Sequence, residues 1–333
     1  MSLLPPSAQR TADRRPAPAA VQHRATGPGW LPGFLALSVV WGASFALIKV
    51  AVGAGVAPGW VAFWRCALGA ASLCAVCLVR RERPPRNPRT WAHALVVAGL
   101  LNTVPFTVLA FGETRVSSVL AGLLNATTPL TTLGFALLLV PGERLTARRV
   151  TGLLLGFAGV LVVLGVWRGL PGGSLLGALA CLAATACYGA GFSYTRRFFA
   201  DRRTPAATLC AMQMCCATAE LAIVAPATGG APQWPGWGAA GALTVLGVLG
   251  TGVAYIVNLG IIRAAGPTVA ATVTYVMPVC STLLGTVLLA EPFGWNLVAG
   301  GAVVLAGVVL TQASSRRRRV ATDRAAHSSR SAG

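Results

Sequence analysis

The feature of this sequence that most restricts its fold is a series of apolar runs that recurs from Leu35 to Ala313. Each run is about 20 residues long, enough for a helix to cross a hydrocarbon core about 30 Å thick. Only 11% of the 333 residues are charged, against about 25% in a typical soluble domain. Since the chain lacks the polar residues to cover a soluble exterior, we predict an all-α polytopic membrane protein.

Turn-forming residues divide the apolar region into ten predicted transmembrane helices. Pro and Gly residues are concentrated between the runs, and no connector is long enough for a soluble domain. The predicted spans cover residues 33–53, 59–79, 92–112, 116–139, 147–166, 175–197, 205–226, 237–262, 267–290 and 294–313.

The distribution of positive charge predicts the orientation of the chain. If the N-terminus is cytoplasmic, nearly all of the 27 basic residues fall in cytoplasmic tails and loops, and only Arg115 and Arg168 lie in outer loops. This bias predicts a multi-pass protein of the cell (inner or plasma) membrane with both termini in the cytoplasm. It also argues against a nucleic-acid partner, although the net charge is +19, because the charges flank spans and do not form one face.

An internal repeat appears at an offset of 147–149 residues. Trp41-Gly-Ala-Ser-Phe matches Tyr188-Gly-Ala-Gly-Phe, and further positions agree in the same order. The aligned pairs are Arg65 with Gln213, Thr103 with Thr251, Gly112 with Gly260, Arg115 with Arg263, Pro129 with Pro278 and Glu143 with Glu291.

This repeat predicts both the domain organisation and the architecture. Because each copy holds five spans, an odd number, the second copy is inverted relative to the first in the membrane. Inverted repeats are typical of secondary transporters, in which the substrate site lies between the halves near the midplane. The predicted organisation is a disordered basic tail (1–32), a first five-helix repeat (33–166), a connector (167–174), a second five-helix repeat (175–313) and a disordered basic tail (314–333).

These motifs resemble the EamA-type, ten-helix branch of the drug/metabolite transporter superfamily. The resemblance rests on Trp41-Gly-Ala-Ser-Phe…Lys49, on Pro129…Gly-Glu143 with Gly152 beyond it, and on their second copies around Pro278, Glu291 and Gly300. It implies a transporter that exports amino acids, metabolites, purines or amphiphilic drugs through a central cavity lined by both halves. An importer or exchanger of the same fold is the alternative within this class.

Uncharged polar and aromatic residues inside the spans are candidates to line that cavity. Polar groups at membrane depth are costly and tend to be functional or paired. Each could bind substrate, or could instead form interhelical hydrogen bonds or pack in the core. The candidates are Asn102, Asn125, Thr251, Asn258, Trp41, Phe45, Tyr188 and Tyr275.

Three charged residues inside the spans form a second group of candidates. Lys49 and Arg65 could attract a substrate carboxylate or extend to the membrane interface. Glu220 could carry a coupling proton or reach the headgroups. Glu143 and Glu291 precede the fifth and tenth spans, where negative charge complements a helix N-terminus.

The sequence contains none of the motifs that mark common catalytic or nucleotide-binding sites. We therefore predict a non-enzymatic protein without cofactor or metal. Its predicted partners are a small-molecule substrate and the lipid bilayer, with a coupling proton as a further candidate. A non-transporting intramembrane enzyme or a lipid-handling protein is the alternative of a different class. The substrate, the transport direction, the coupling ion and the oligomeric state do not follow from these residues.

Overall fold

A computed structural model describes residues 28–139, 146–165, 167, 172–198, 204–265, 270 and 273–310. The tails predicted to be disordered lie mostly outside these ranges, as do Glu143 and most of the connector. Tyr275 lies in a described helix, but its side chain falls outside the described part of the structure.

The described residues form ten apolar helices, and no strand occurs among them. Two helices contain an internal π-helical segment, Gly99–Thr103 in α3 and Val248–Val253 in α8. The helices are α1 Leu31–Gly53, α2 Pro58–Val79, α3 Pro88–Glu113, α4 Ser118–Leu139, α5 Ala147–Leu164, α6 Gly172–Phe198, α7 Ala206–Gly229, α8 from Gly236 to Ala265, α9 Val273–Leu288 and α10 Trp295–Leu310.

The prediction of an all-α polytopic fold is therefore confirmed. Eight helices are long and apolar enough to cross a membrane, whereas α9 and α10 are shorter over the described residues. The 16 residues of α9 span about 24 Å at the helical rise. The seven residues that precede this helix are almost entirely outside the described ranges.

Local sequence determines where several helices begin. Pro58 and Pro88 occupy the first helical position, where the missing N–H would have no intrahelical partner. At the starts of α3 and α4, the side chains of Asn87 and Ser117 accept hydrogen bonds from Arg89 N and Leu120 N at 3.0 and 3.1 Å. These caps satisfy N–H groups that would otherwise lack a partner.

Helices from opposite repeats interdigitate in the bundle. The second helix of each repeat packs along its counterpart (α2 with α7), α1 packs on α9, and α6 packs on both α3 and α4. We call the end of the bundle at which α1 begins the near face, and the opposite end the far face.

The last helices of the two repeats, α5 and α10, cross through glycines. A Cβ atom at Gly159 would lie 2.6 Å from Val304 N and 3.0 Å from Gly300 O, and Gly307 meets the backbone of Gly156 in the same way. Small residues permit such close approach of helices in a membrane. Van der Waals packing drives helix association there, because lipid is as apolar as the helix surface. The two repeats are joined tightly along this crossing.

Candidate substrate site between the repeats

The two π-helical segments occupy repeat-related positions near the middle of α3 and α8. In α3 the widening precedes Pro105, which has no N–H for the carbonyl four residues earlier and whose ring would clash with it. In α8 the segment contains Gly250 and Gly252 instead, so the same distortion arises from different residues. π-Helical turns are frequent at functional sites because they redirect side chains and release carbonyls.

Arg65 of α2 lies beside the π segment of α8. It is 9% exposed, its Nε donates a hydrogen bond to Thr251 Oγ1 at 3.2 Å, and its guanidinium carbon lies 3.9 Å from the Phe106 ring centroid. A desolvated cation–π contact of this kind is worth about 2 kcal/mol. The guanidinium has five N–H donors, and no further hydrogen bond to it forms among the described residues.

Glu220 of α7 occupies the corresponding place at the other π segment. It is half-buried, it accepts a hydrogen bond from Thr103 Oγ1, and its carboxylate lies against Gly99. Thr103 and Thr251 are equivalent in the repeat, as are α2 and α7. Each π-segment threonine therefore holds a charged side chain from the second helix of the opposite repeat, a cation in one case and an anion in the other.

Arg65 and Glu220 are close in the bundle without forming an ion pair with each other. Arg65 lies over the ring of Phe106, which follows Thr103, the hydrogen-bond partner of Glu220, by three residues on α3. No nitrogen–oxygen contact within 4.0 Å joins the two residues in the described structure. The site thus holds separated positive and negative groups, which together suit a solute that carries both charges.

Asn102 is fully buried and bound to α7. Gln213 donates a hydrogen bond from its amide to Asn102 Oδ1, and Asn102 Nδ2 lies 3.9 Å from Met214 Sδ. Gln213 is the repeat counterpart of Arg65, so the second helix of each repeat contributes a polar side chain that contacts the third helix of the other.

The predicted aromatic residues lie in different surroundings. Trp41 donates a hydrogen bond from Nε1 to Gly250 O at 3.1 Å, in the π segment of α8. Its counterpart Tyr188 is half-buried and stacks on Phe192, with ring centroids 6.4 Å apart. Phe45 is 3% exposed in the apolar core beside Gly122, so it packs the interior in this conformation and lines no open space.

The remaining uncharged candidates are scattered along the bundle. Asn125 ends the first half of α4, and its Oδ1 is buried with no hydrogen-bond partner among the described residues. Asn258 is half-buried on α8. The structure therefore brings together Arg65, Asn102, Glu220 and Thr251, with Trp41 and Tyr188 beside them, and leaves Phe45, Asn125 and Asn258 elsewhere.

Two further charged residues, Lys49 and Glu291, form hydrogen bonds between helices at the far face. Lys49 donates hydrogen bonds from Nζ to Glu113 O at 2.7 Å and Val116 O at 2.8 Å, at the C-terminus of α3. Glu291 accepts from Ser118 N, Ser118 Oγ and Val119 N at 2.8–3.0 Å. Glu291 thus caps α4 of the opposite repeat, and not the adjacent α10 as its sequence position indicates.

The far face is closed where α3 meets α6. A Cβ atom at Gly112 would lie 2.7 Å from Cys181 Sγ and 3.0 Å from Gly177 O. Cys181 is fully buried, and a Cβ at Gly177 would lie 2.8 Å from Arg115 Cβ. Backbone meets backbone at this contact, which leaves no passage between the two helices. We call it the α3–α6 contact.

The repeat-related place, where α1 meets α8 at the near face, is packed less closely: a Cβ atom at Gly33 would lie 3.4 Å from Val257 Cγ1, an ordinary van der Waals contact. Gly260, the counterpart of Gly112, has no described atom within 4 Å of the position a Cβ would take. Ile261 and Phe34 are buried in one apolar cluster there, and a surface groove of about 650 Å³ over the two helices is lined by Trp30, Gly33, Val257, Gly260, Ile261 and Ala264. We call it the α1–α8 groove.

Sequence reasoning missed several groups at these places. Gln213 was aligned with Arg65 but not selected, and the two π segments carry no sequence signal beyond Pro105 and the glycines. Glu113 is fully buried, although it directly follows the predicted span 92–112 and was not among the candidates. One indication that Glu113 lies inside the bundle was available in the repeat. Its counterpart is the apolar Ile261, in the alignment of Gly112-Glu113-Thr114-Arg115 with Gly260-Ile261-Ile262-Arg263.

Comparison with known proteins supports this description of two related halves. A family model described as "EamA-like transporter family" matches the chain twice, over residues 29–165 and 175–312. A solved structure, described only as the crystal structure of a protein, superimposes with a TM-score of 0.60 at 25% sequence identity. The match covers 86% of this chain and 98% of that one. No curated protein sequence matches this chain.

Proposed function

Because this chain belongs to the EamA-like transporter family, we propose that it is a secondary transporter that exports a small solute across the cell membrane by alternating access. Members of the family are membrane transporters and not enzymes. The observation that carries the proposal is the unequal packing of two repeat-related places, the tight α3–α6 contact and the looser packing at the α1–α8 groove. An exchange of these two packings between the repeats would expose the centre to the opposite side of the membrane.

The solute that fits the site is a small zwitterion, such as an amino acid, or a metabolite with one anionic and one cationic group. The guanidinium of Arg65 offers a fork of N–H donors that matches a carboxylate. The Glu220 carboxylate, held by Thr103, would attract an ammonium group. Trp41 and Tyr188 would supply aromatic surface for an apolar part of the solute.

Export is proposed as the direction that the family resemblance implies, and the orientation and packing are compatible with it. The basic residues favour a cytoplasmic location for both chain ends, which makes the near face the cytoplasmic one. Separation of α1 from α8 along the groove would then admit solute from the cytoplasm. Labelling of an N-terminal and a C-terminal tag in intact and in permeabilised cells tests the orientation. Reactivity of either tag in intact cells would contradict it.

Counterflow in proteoliposomes tests the proposed transport. Vesicles loaded with an unlabelled amino acid should accumulate the labelled form of the same compound, and a panel that also includes organic acids and organic cations would reveal the preference for zwitterions. Arg65→Gln and Glu220→Gln should each lower the rate at least about tenfold, the effect of losing one charge-assisted hydrogen bond. Arg89→Gln, which removes an exposed positive charge outside the site, is the matched control and should be unaffected.

Two outcomes would contradict the proposal at different levels. The absence of saturable flux for every member of the panel would contradict transport of small polar solutes. Flux that is the same in Arg65→Gln and wild type would leave transport in place and remove the proposed site. The direction is tested separately, because cells that overproduce the protein should release the transported solute into the medium, and retention in the cell would contradict export.

A further inference from the structure

The carboxylate of Glu113, the last residue of α3, has no part in the proposed function. Glu113 is fully buried, and neither of its carboxylate oxygens has a hydrogen-bond partner among the described residues. An ionised carboxylate is very costly to bury without partners, and in proteins such a group is neutralised instead. The arrangement therefore suits a carboxylic acid that holds a proton.

The charged groups that face Glu113 each have another partner. Lys49 of α1 is bound to backbone carbonyls, Arg65 of α2 to Thr251, and Glu291, which precedes α10, to the start of α4. The remaining titratable neighbour is the thiol of Cys181 on α6. The ammonium of Lys49 also disfavours a metal cation at this place, so a proton is the ligand that fits.

Glu113 lies directly beside the α3–α6 contact, since it is buried and follows Gly112, where a Cβ atom would lie 2.7 Å from Cys181 Sγ. Separation of α3 from α6 would bring water of the far face to the carboxylate and allow it to ionise. We propose that Glu113 is a proton-binding site that keeps the α3–α6 contact closed while protonated, and that releases its proton to the far side when the contact opens. This proposal rests on the alternating access of the proposed function.

The second repeat has no such acid. The counterpart of Glu113 is Ile261, which lines the α1–α8 groove. Proton binding is therefore confined to the far-face contact of the first repeat, and the near-face contact can close without it. In consequence, a rise in pH at the far face should favour opening there, because ionised Glu113 is stable only when hydrated.

Labelling of the native thiol of Cys181 tests this coupling in the full-length protein in detergent or nanodiscs. Cys181 is buried in the closed contact, so a water-soluble thiol reagent reaches it only when the contact opens. The labelling that is lost in the Cys181→Ala variant is the part that is due to Cys181, since the protein has other free cysteines. Ionised Glu113 repels a thiolate at Cys181 and can only slow labelling, so a rise in the ratio of the wild-type rate to the Glu113→Gln rate reports opening of the contact and not a more reactive thiol. This ratio should rise with pH by up to about tenfold per pH unit where Glu113 titrates.

Matched variants separate the proton site from a structural role. Glu113→Asp retains the acid and should keep the pH response, whereas Glu82→Gln removes a carboxylate elsewhere, one that accepts from Thr208, and should behave like wild type. If Glu113→Gln does not fold, Glu113→Leu, which imitates Ile261, replaces it as the acid-free reference. Infrared difference spectra should show a protonated carboxyl band at neutral pH that the acid-free variant lacks.

A ratio that stays constant with pH, or the absence of that infrared band, would overturn the proposal. Neither measurement depends on transport. A negative counterflow result with an intact pH response would therefore contradict the proposed function and leave the proton site standing. Active counterflow with a constant ratio would contradict the proton site alone.

Discussion

The α3–α6 contact and the α1–α8 groove are built from equivalent parts of the two repeats, yet the helices pack tightly at the first and more loosely at the second. At the first, Gly112 brings α3 against the backbone of α6, and at the second Gly260 faces empty space. Both places have a glycine at the same repeat position, Gly112 and Gly260, so this glycine alone does not determine how closely the helices pack. The proposed alternating access requires a second conformation in which these two packings are exchanged.

The largest expected effect is on the stability of the α3–α6 contact, when a side chain is added at Gly112. Gly112→Val places a side chain against Gly177 O and Cys181 Sγ, and backbone cannot move aside cheaply. We expect a destabilisation of the closed far face by about 3 kcal/mol, measured as a faster reaction of Cys181 with a thiol reagent. Gly260→Val is the matched control, because it has free space in this conformation and should leave that reaction unaccelerated.

The next largest effect is expected on thermal stability, when the hydrogen bonds of Lys49 between α1 and the end of α3 are removed. Lys49→Met keeps the length of the side chain but loses two hydrogen bonds from an ammonium to helix-terminal carbonyls. Hydrogen bonds to charged groups contribute about 2 kcal/mol, so the midpoint of thermal unfolding in detergent should fall. Arg115→Met removes a cation of the same face that lies over Phe111, and a fall as large in that variant would show that Lys49 has no special role.

A smaller effect is expected where Glu291 caps the opposite repeat. Glu291→Gln keeps an acceptor for Ser118 and Val119 but removes the negative charge at the N-terminus of α4. Charge at that position is worth up to about 1 kcal/mol. Hydrogen exchange of the first turn of α4 should be moderately faster in the variant, while the first turn of α3, capped by Asn87, serves as the internal reference.

The smallest effect on stability is expected from the hydrogen bond between Trp41 and the π segment of α8. Trp41→Phe retains an aromatic ring and loses only the hydrogen bond from Nε1 to Gly250 O. A neutral hydrogen bond contributes about 0.5–1 kcal/mol. Unfolding by a chaotrope should begin at a slightly lower concentration than in wild type. A loss of stability as large as that from Lys49→Met would contradict this order of effects.

The architecture could be predicted from the sequence because lipid imposes its requirements on long stretches of chain. Every span must be apolar and helical, and the offset between Trp41 and Tyr188 or between Gly112 and Gly260 indicates two copies. Arg65 and Glu220 could be selected for a similar reason, since a charge in an apolar run is conspicuous.

The details of the site could not be predicted, because they depend on contacts between distant residues. Nothing near Glu291 in the sequence indicates that it caps α4, 173 residues away. The π segment of α8 contains no proline from which it could have been predicted. Glu113 stood at the margin of a predicted span, where an error of one residue separates an interfacial carboxylate from a buried one.

Distances between spin labels at the two faces test the central claim most directly. In a cysteine-free background, Thr114→Cys with Leu175→Cys would report the far face, and Leu31→Cys with Ala264→Cys would report the near face; all four positions are exposed. Electron–electron resonance should find two populations for each pair, with Gly112→Val enriching the long far-face and short near-face distances together. A single fixed distance at both faces, or lengthening of both pairs at once, would contradict alternation between the two repeat-related packings.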